Sequence, residues 1–360
     1  MKNSDLLVQM LEEAGVRWVF GVPSGPVLPL IESLRQSSVQ FILTASETSA
    51  GFMAATVGYL TGKPGVCVST LGPGATNLAT GVGCAWLDRS PVLAITCNVA
   101  TPWLERHIQM RIDHHTLFKP LTKASLSLAN VDVGEILAQA ANMAVTEPPG
   151  PVHLDLPEDV AVAMATETRR SIPTPELPDL SRELREEIAA ALQTAHRPLL
   201  VTGLTFTRSK NATPLLQFLE RQKIPFVTTL HGKGFLPESH QNWAGVIGRA
   251  RRTDVKAFTD KADLILAVGY DPIEINYEEW VADRPVIHIS TEAAEISEGI
   301  SLIWNKACDF DQAIEEMMEL PVFANDWDRE EWRSHRQLLE QSLRPQGDGF
   351  STHHLLDILR

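Results

Sequence analysis

The 360-residue sequence has no apolar run long enough to cross a bilayer, only four cysteines, and too little positive charge to balance its negative charge. Each shortage removes a class of function. Residues 1–22 break their apolar stretches with Asp5, Glu12, Glu13 and Arg17, so they do not read as a signal peptide. The cysteines form no CxxC pair and have no histidine at metal spacing. Cys67 and Cys97 lie in apolar strand-like runs and Cys84 in a small-residue helical run, the pattern of buried thiols in a reducing, cytoplasmic compartment. Lys and Arg total 31 against 45 Asp and Glu, a net charge of −14 that repels phosphate backbones and anionic lipid, so neither nucleic acid nor membrane is an expected partner. Neither GxGxxG nor GxxxxGK[ST] occurs, which counts against a nicotinamide-dependent oxidoreductase.

What is present is a chain, 44% hydrophobic, that can bury two or three cores. Leu6, Leu7, Met10, Leu11 and Ala14 repeat at helical spacing, and Gly15 stops the run before the strand-like residues 18–20. Alternation follows: predicted helices at 27–34, 47–60, 75–87 and 133–145, and strands at 41–43, 66–69, 92–96 and 152–156. Strands alternating with helices predict an α/β fold, a doubly wound parallel sheet over residues 1–163. Residues 164–180, with Pro173, Pro175 and Pro178, read as a linker. Residues 181–340 repeat the style as a central Rossmann-like domain, with helices at 182–193, 214–222 and 310–318 and strands at 199–202, 226–229, 264–268 and 286–289. Residues 326–343 are a charged segment, and 341–360 read as the start of a further domain.

Two loops follow predicted strands and open helices: Gly21-Val22-Pro23-Ser24-Gly25-Pro26 and Leu71-Gly72-Pro73-Gly74-Ala75-Thr76-Asn77. Each alone is explained as well by a tight strand-to-helix turn. Between them, Glu47 stands where a strand hands over to a helix, a place the helix dipole favours for any acid. Together the three loops would converge on one sheet edge, two lined by glycine and one carrying a single carboxylate. Adjacent histidines on a polar loop, such as His114 and His115 with nearby His107, read as solvated.

In this order and at this spacing, residues 21–25, 45–54, 69–81, 88–98 and 150–160 resemble the amino-terminal, pyrimidine-binding domain of thiamine-diphosphate enzymes. Residues 226–240 and 262–276 resemble the central domain of the acetolactate synthases in that family. The resemblance implies a 2-oxo acid decarboxylase and carboligase using thiamine diphosphate and magnesium. In it, Glu47 is the acid that hydrogen-bonds a pyrimidine nitrogen and activates the coenzyme, while Pro23, Gly25, Gly72, Pro73 and Asn77 border the coenzyme and Gln109 faces the substrate. A carboxyl withdrawn from water can share a proton with a weakly basic ring nitrogen, so the role is chemically coherent. The resemblance also implies a homodimer or homotetramer, pyruvate or another 2-oxo acid as substrate, and an incomplete chain, inactive in isolation, that lacks the diphosphate- and magnesium-holding domain beginning at 341–360, which a separate chain could supply. Gly347-Asp348-Gly349 imitates the opening of the family's magnesium motif without its context, so no metal ligand is expected within these residues. Ser46 replaces a histidine that many members carry, which leaves the donor substrate open. Gly203, Gly248 and Arg249 fall where FAD contacts occur in some synthases, but residues 269–274 look like the FAD-free kind. The alternative readings are a non-catalytic or regulatory remnant of the fold and one subunit of a split enzyme.

Overall fold

Three of the strands in the first half of the chain are buried on both faces, and such strands need helices packed on either side. The computed structural model describes residues 1–166, 177, 181–249, 253–297, 299–343 and 349–359. They divide between two compact units, Met1–Glu176 and Leu177–Arg360. Each is a six-stranded all-parallel sheet flanked by helices.

In the first unit the chain runs α1 (Asn3–Glu13), β1 (Trp18–Gly21), α2 (Leu28–Arg35), β2 (Gln40–Leu43), α3 (Glu47–Thr61), β3 (Gly65–Ser69), α4 (Pro73–Leu87) and β4 (Val92–Asn98). It closes with α5 (His114–Phe118), β5 (Ala124–Ser127), α6 (Val133–Val145), β6 (Pro151–Pro157) and α7 (Glu158–Val162). The strand order is β2-β1-β3-β4-β6-β5, with β3, β4 and β6 buried along their whole length. Successive residues supply opposite faces. Val66 and Val68 of β3 join the core under α1, α2 and α6, while Cys67 between them joins the core under α3 and α4. The connections leave β1 first toward β2 and then toward β3, so the order reverses there and opens a crevice at the carboxyl edge of the sheet.

Small residues let α3 and α4 touch. A Cβ added to Gly51 would stand 2.8 Å from the Gly81 Cα, and one added to Gly81 would stand 2.6 Å from the Gly51 Cα. Ser46 caps α3 by accepting the Ser49 N–H at 3.2 Å, and Gly62, with φ +65°, ends it in the left-handed conformation.

The second unit contains α8 (Ser181–Thr194), β7 (Pro198–Thr202), α9 (Thr213–Gln222), β8 (Phe226–Thr228), β9 (Trp243–Val246), α10 (Thr253–Thr259), β10 (Leu264–Val268), β11 (Val286–Ser290), β12 (Leu302–Ala307), α11 (Phe310–Met318), α12 (Arg329–Leu343) and α13 (Thr352–Leu359). Its order is β12-β11-β10-β7-β8-β9. The charged segment at 326–343 is largely the helix α12, whose Trp332, His335 and Leu339 are buried along one face. Three strands went unforeseen, β5, β9 and β12, and each lies at a sheet edge. Most of the expected linker and all of residues 344–348, Asp348 among them, lie outside the described residues. Cys84 departs from the expected burial: it is half-buried and its thiol donates to Asp88 Oδ2 at 3.0 Å.

The α3–α4 contact yields a stability prediction. Gly81→Val forces backbone apart from backbone and should lower unfolding free energy by about 1–3 kcal/mol in urea titration. An unchanged midpoint would show that the helices can separate without cost.

Candidate functional site

Glu47 is the first residue of α3 and only 9% exposed. Its Oε2 accepts a hydrogen bond from Asn77 Nδ2 at 3.1 Å, and Oε1 has no hydrogen bond from the described residues. Asn77 reaches it because α3 and α4 cross so closely. The Thr48 hydroxyl, next to Glu47, donates to the Asn77 carbonyl at 2.7 Å and ties the two first turns together a second time. Gly74 leaves room for the carboxylate: a Cβ there would lie 3.1 Å from Oε1. The loop before Glu47 is fixed to the end of β1, where the Thr44 N–H donates to the Gly21 carbonyl at 3.0 Å, and its hydroxyl donates to the Ser46 carbonyl at 2.8 Å.

Gly72 is required on two grounds. Its φ is +58°, and a Cβ would lie 2.0 Å from the Met110 carbonyl oxygen. The loop that carries Gln109 therefore lies directly over the glycine loop. Gln109 is exposed and sits one residue from that contact. Pro73 begins α4, where its missing N–H costs nothing. Pro23 is exposed, and a Cβ at Gly25 would meet nothing within 4 Å, so these two border open space rather than the Glu47–Asn77 pair. Ser24 Oγ, Ser69 Oγ and Thr70 Oγ1, at the ends of β1 and β3, are buried without a hydrogen-bond partner. Such groups are costly unless something else satisfies them.

Beneath the glycine loop lies a polar cluster that the sequence did not announce. His114, expected to be solvated, is 1% exposed. Gly72 N–H donates to its Nε2 at 3.2 Å, and its Nδ1 lies 2.9 Å from Asp155 Oδ1. Thr96 Oγ1 stands amid the group, 2.9 Å from His114 Nδ1, 2.8 Å from His153 Nε2 and 3.1 Å from Asp155 Oδ1. Asn98 donates to both Asp155 oxygens at 3.1 Å. His153 Nδ1 meets Ser125 Oγ at 2.7 Å, which meets the half-buried His115 Nδ1 at 2.8 Å. One proton assignment satisfies the chain from His115 through Ser125, His153 and Thr96, with its donors ending on Asp155. His114, His153 and Asp155 offer ligand atoms within 4.8 Å of one another, but the Thr96 hydroxyl hydrogen-bonds all three, and the set reads as a hydrogen-bond network. His107 alone of the three noted histidines is exposed.

Burial opposes the Asp155 charge, yet the hydrogen bonds from His114 and Asn98 and the neighbouring imidazoles outweigh it, so its carboxyl titrates below the usual range. Burial pushes His153 down to about 3. Unfolded, that imidazole binds a proton near 6.5, which the folded chain refuses until about 3. Stability is therefore complete above about 6.5 and lost as pH falls toward 3, with roughly 1 kcal/mol lost in the first pH unit. Urea midpoints measured over this window should fall with acid in the native chain and fall less steeply in His153→Gln; equal slopes would reject the assignment.

Comparison with known proteins gives the family of the domains that carry this geometry. Residues 1–117 match the family model described as "Thiamine pyrophosphate enzyme, N-terminal TPP binding domain", and residues 185–316 match "Thiamine pyrophosphate enzyme, central domain". The chain is 32% identical to a probable acetolactate synthase large subunit of Methanocaldococcus jannaschii, over 92% of this chain and 58% of that protein. It is 32% identical to the acetolactate synthase of Bacillus subtilis, over 82% and 53%, and 31% identical to the large subunit of the Lactococcus lactis enzyme, over 90% and 59%. It thus spans a little over half the length of these curated relatives. With its Glu47 edge carried on the first matched domain and a second parallel sheet on the other, the chain belongs to the thiamine pyrophosphate enzymes and carries their N-terminal and central domains.

Proposed function

We propose that these residues supply the pyrimidine-facing half of a 2-oxo acid decarboxylase and carboligase of the acetolactate synthase kind, acting on pyruvate or a close analogue. The observation that carries the reading is Glu47: a buried carboxylate at the carboxyl edge of the sheet, oriented by Asn77, with Oε1 left for a ligand. The surroundings fit a planar heterocycle with a polar rim. Gly74 leaves space beside Oε1, and the hydroxyls of Ser24, Ser69 and Thr70 await partners. Glu47 would hold a proton at Oε1 and share it with a ring nitrogen, while Asn77 keeps Oε2 from turning away. Pro23, Gly25, Gly72 and Pro73 would border the coenzyme, and Gln109 would meet the substrate from the loop over Gly72. When bound, thiamine diphosphate supplies the electron sink for loss of carbon dioxide and for the following carbon–carbon bond. Magnesium and the diphosphate would be held by residues other than those described.

Three further expectations have support. Phe52, Met53 and Leu60 of α3 and Leu87 of α4 are exposed, as a face that pairs with a second copy would be, in a homodimer or a homotetramer of such pairs. Light scattering at micromolar concentration should give at least a dimer, and a monomer would count against it. In the central unit Glu274 Oε1 accepts the Leu204 N–H at 2.7 Å, and a Cβ on Gly203 would lie 2.6 Å from the same oxygen. That carboxylate occupies the anion position where β7 ends, which favours a central unit without FAD. A cytoplasmic location suits the free thiols, and among the described residues no helix is long and apolar enough to cross a membrane.

The decisive variant is Glu47→Gln, which keeps size and hydrogen bonding but cannot carry the shared proton. It should lower kcat for pyruvate decarboxylation by about 10²- to 10⁴-fold while leaving the far-ultraviolet circular dichroism unchanged. A wild-type rate would overturn the assignment.

A further inference from the structure

The His114 cluster lies beneath the proposed site, and its hydrogen bonds run toward Glu47. A backbone N–H can only donate, so Gly72 N–H bonded to His114 Nε2 fixes that nitrogen as an acceptor. The ring proton must then sit on Nδ1, where the buried Asp155 carboxylate takes it at 2.9 Å. Gly72 is the residue from which α4 starts, and Thr76 N–H, in its first turn, donates back to the Gly72 carbonyl at 2.9 Å. Asn77 is next, and it holds Glu47. The chain of contacts therefore runs from Asp155 in β6, through His114 in α5 and Gly72, to the Asn77–Glu47 pair. Gly72 cannot be held by a capping side chain of its own, since it has none; without His114 its N–H would be buried unpaired.

We propose that His114 is a positioning residue for Glu47: as the Nδ1–H tautomer anchored by Asp155, it pins the entry of α4 and so sets where Asn77 presents the catalytic carboxylate. The proposal rests on the coenzyme reading of Glu47. It makes His114 neither an acid nor a base in the reaction, since both of its nitrogens are already committed. It also explains why a histidine suits the position: its ring offers an acceptor on one side and a donor on the other, and so joins the Gly72 N–H to the buried Asp155 carboxylate.

Three measurements test it. Long-range ¹⁵N–¹H correlation spectra of the chain as it stands should show His114 as the Nδ1–H tautomer at neutral pH; an Nε2–H ring or an imidazolium would overturn the proposal without any variant. Amide exchange at Gly72 and Thr76 should quicken at least tenfold in His114→Phe and recover toward the native rate in His114→Gln, whose amide oxygen can again accept the Gly72 N–H. Exchange unaltered in the phenylalanine variant would overturn it, and should that variant not fold, the tautomer measurement still decides. Finally, in the catalytically complete protein, His114→Phe should lower kcat by about ten- to 10²-fold with KM nearly unchanged, and should have little further effect in the Glu47→Gln background. An equal loss in both backgrounds would mean that His114 does not act through Glu47. If native protein shows no thiamine-diphosphate-dependent turnover, or Glu47→Gln is fully active, the coenzyme reading itself fails, and the tautomer and exchange results stand apart from it as statements about the loop.

Discussion

Where α3 crosses α4, Gly51 and Gly81 bring backbone against backbone, and the Glu47–Asn77 pair hangs on that contact. Two helices that start from different strands would ordinarily hold their first turns a side chain's width apart. Here the missing side chains bring the turns close enough for Asn77 to reach Glu47 and for Thr48 to reach the Asn77 carbonyl. The carboxylate can be buried because it is met by a donor, and the donor is in reach because the helices touch. Packing and the placing of the carboxylate are in this sense one constraint, imposed by two glycines each one helical turn past the residue it helps to place.

A second layer of order sits below. The network around Thr96 and Asp155 contains three imidazoles and a carboxylate, almost all out of water, and its cohesion depends on each member donating in the right direction. Fully satisfied polar networks of this type stiffen the elements that carry them. The elements here are β4, β6 and α5, which together underpin the glycine loop. The surface of the site is permissive, with exposed Pro23, Gln109 and an open Gly25, while its floor is rigid.

Much of this could be read from residue order. Central strands such as β3, β4 and β10 announce themselves through continuous apolar runs, because burial on both faces leaves no room for polar residues. The edge strands β5, β9 and β12 do not, since one side of each lacks a neighbour and residues such as Ser125, Gly245 and Asn305 are tolerated there. Helix α12 was hidden by its own charge: among its described side chains only Trp332, His335 and Leu339 are buried, and a count of charged residues outvotes those three. Glu47, Gly72 and Asn77 were legible because the loops bearing them follow strands in sequence. His114 was not, because its burial is decided by Asp155, 41 residues later, and by Thr96 on a different strand. Periodicity reports on neighbours along the chain and is silent about a polar side chain whose partners arrive from elsewhere.

Gly72 carries an implication for how such a chain can change over generations. Two independent obstacles, the left-handed backbone and the Met110 carbonyl pressed against it, close the position to every other residue. Relieving either one alone restores nothing, so no single substitution elsewhere can open the way for a side chain at this point. The loop above and the helix below must be rewritten together, which makes this short segment a fixed reference around which the more open rim is free to drift.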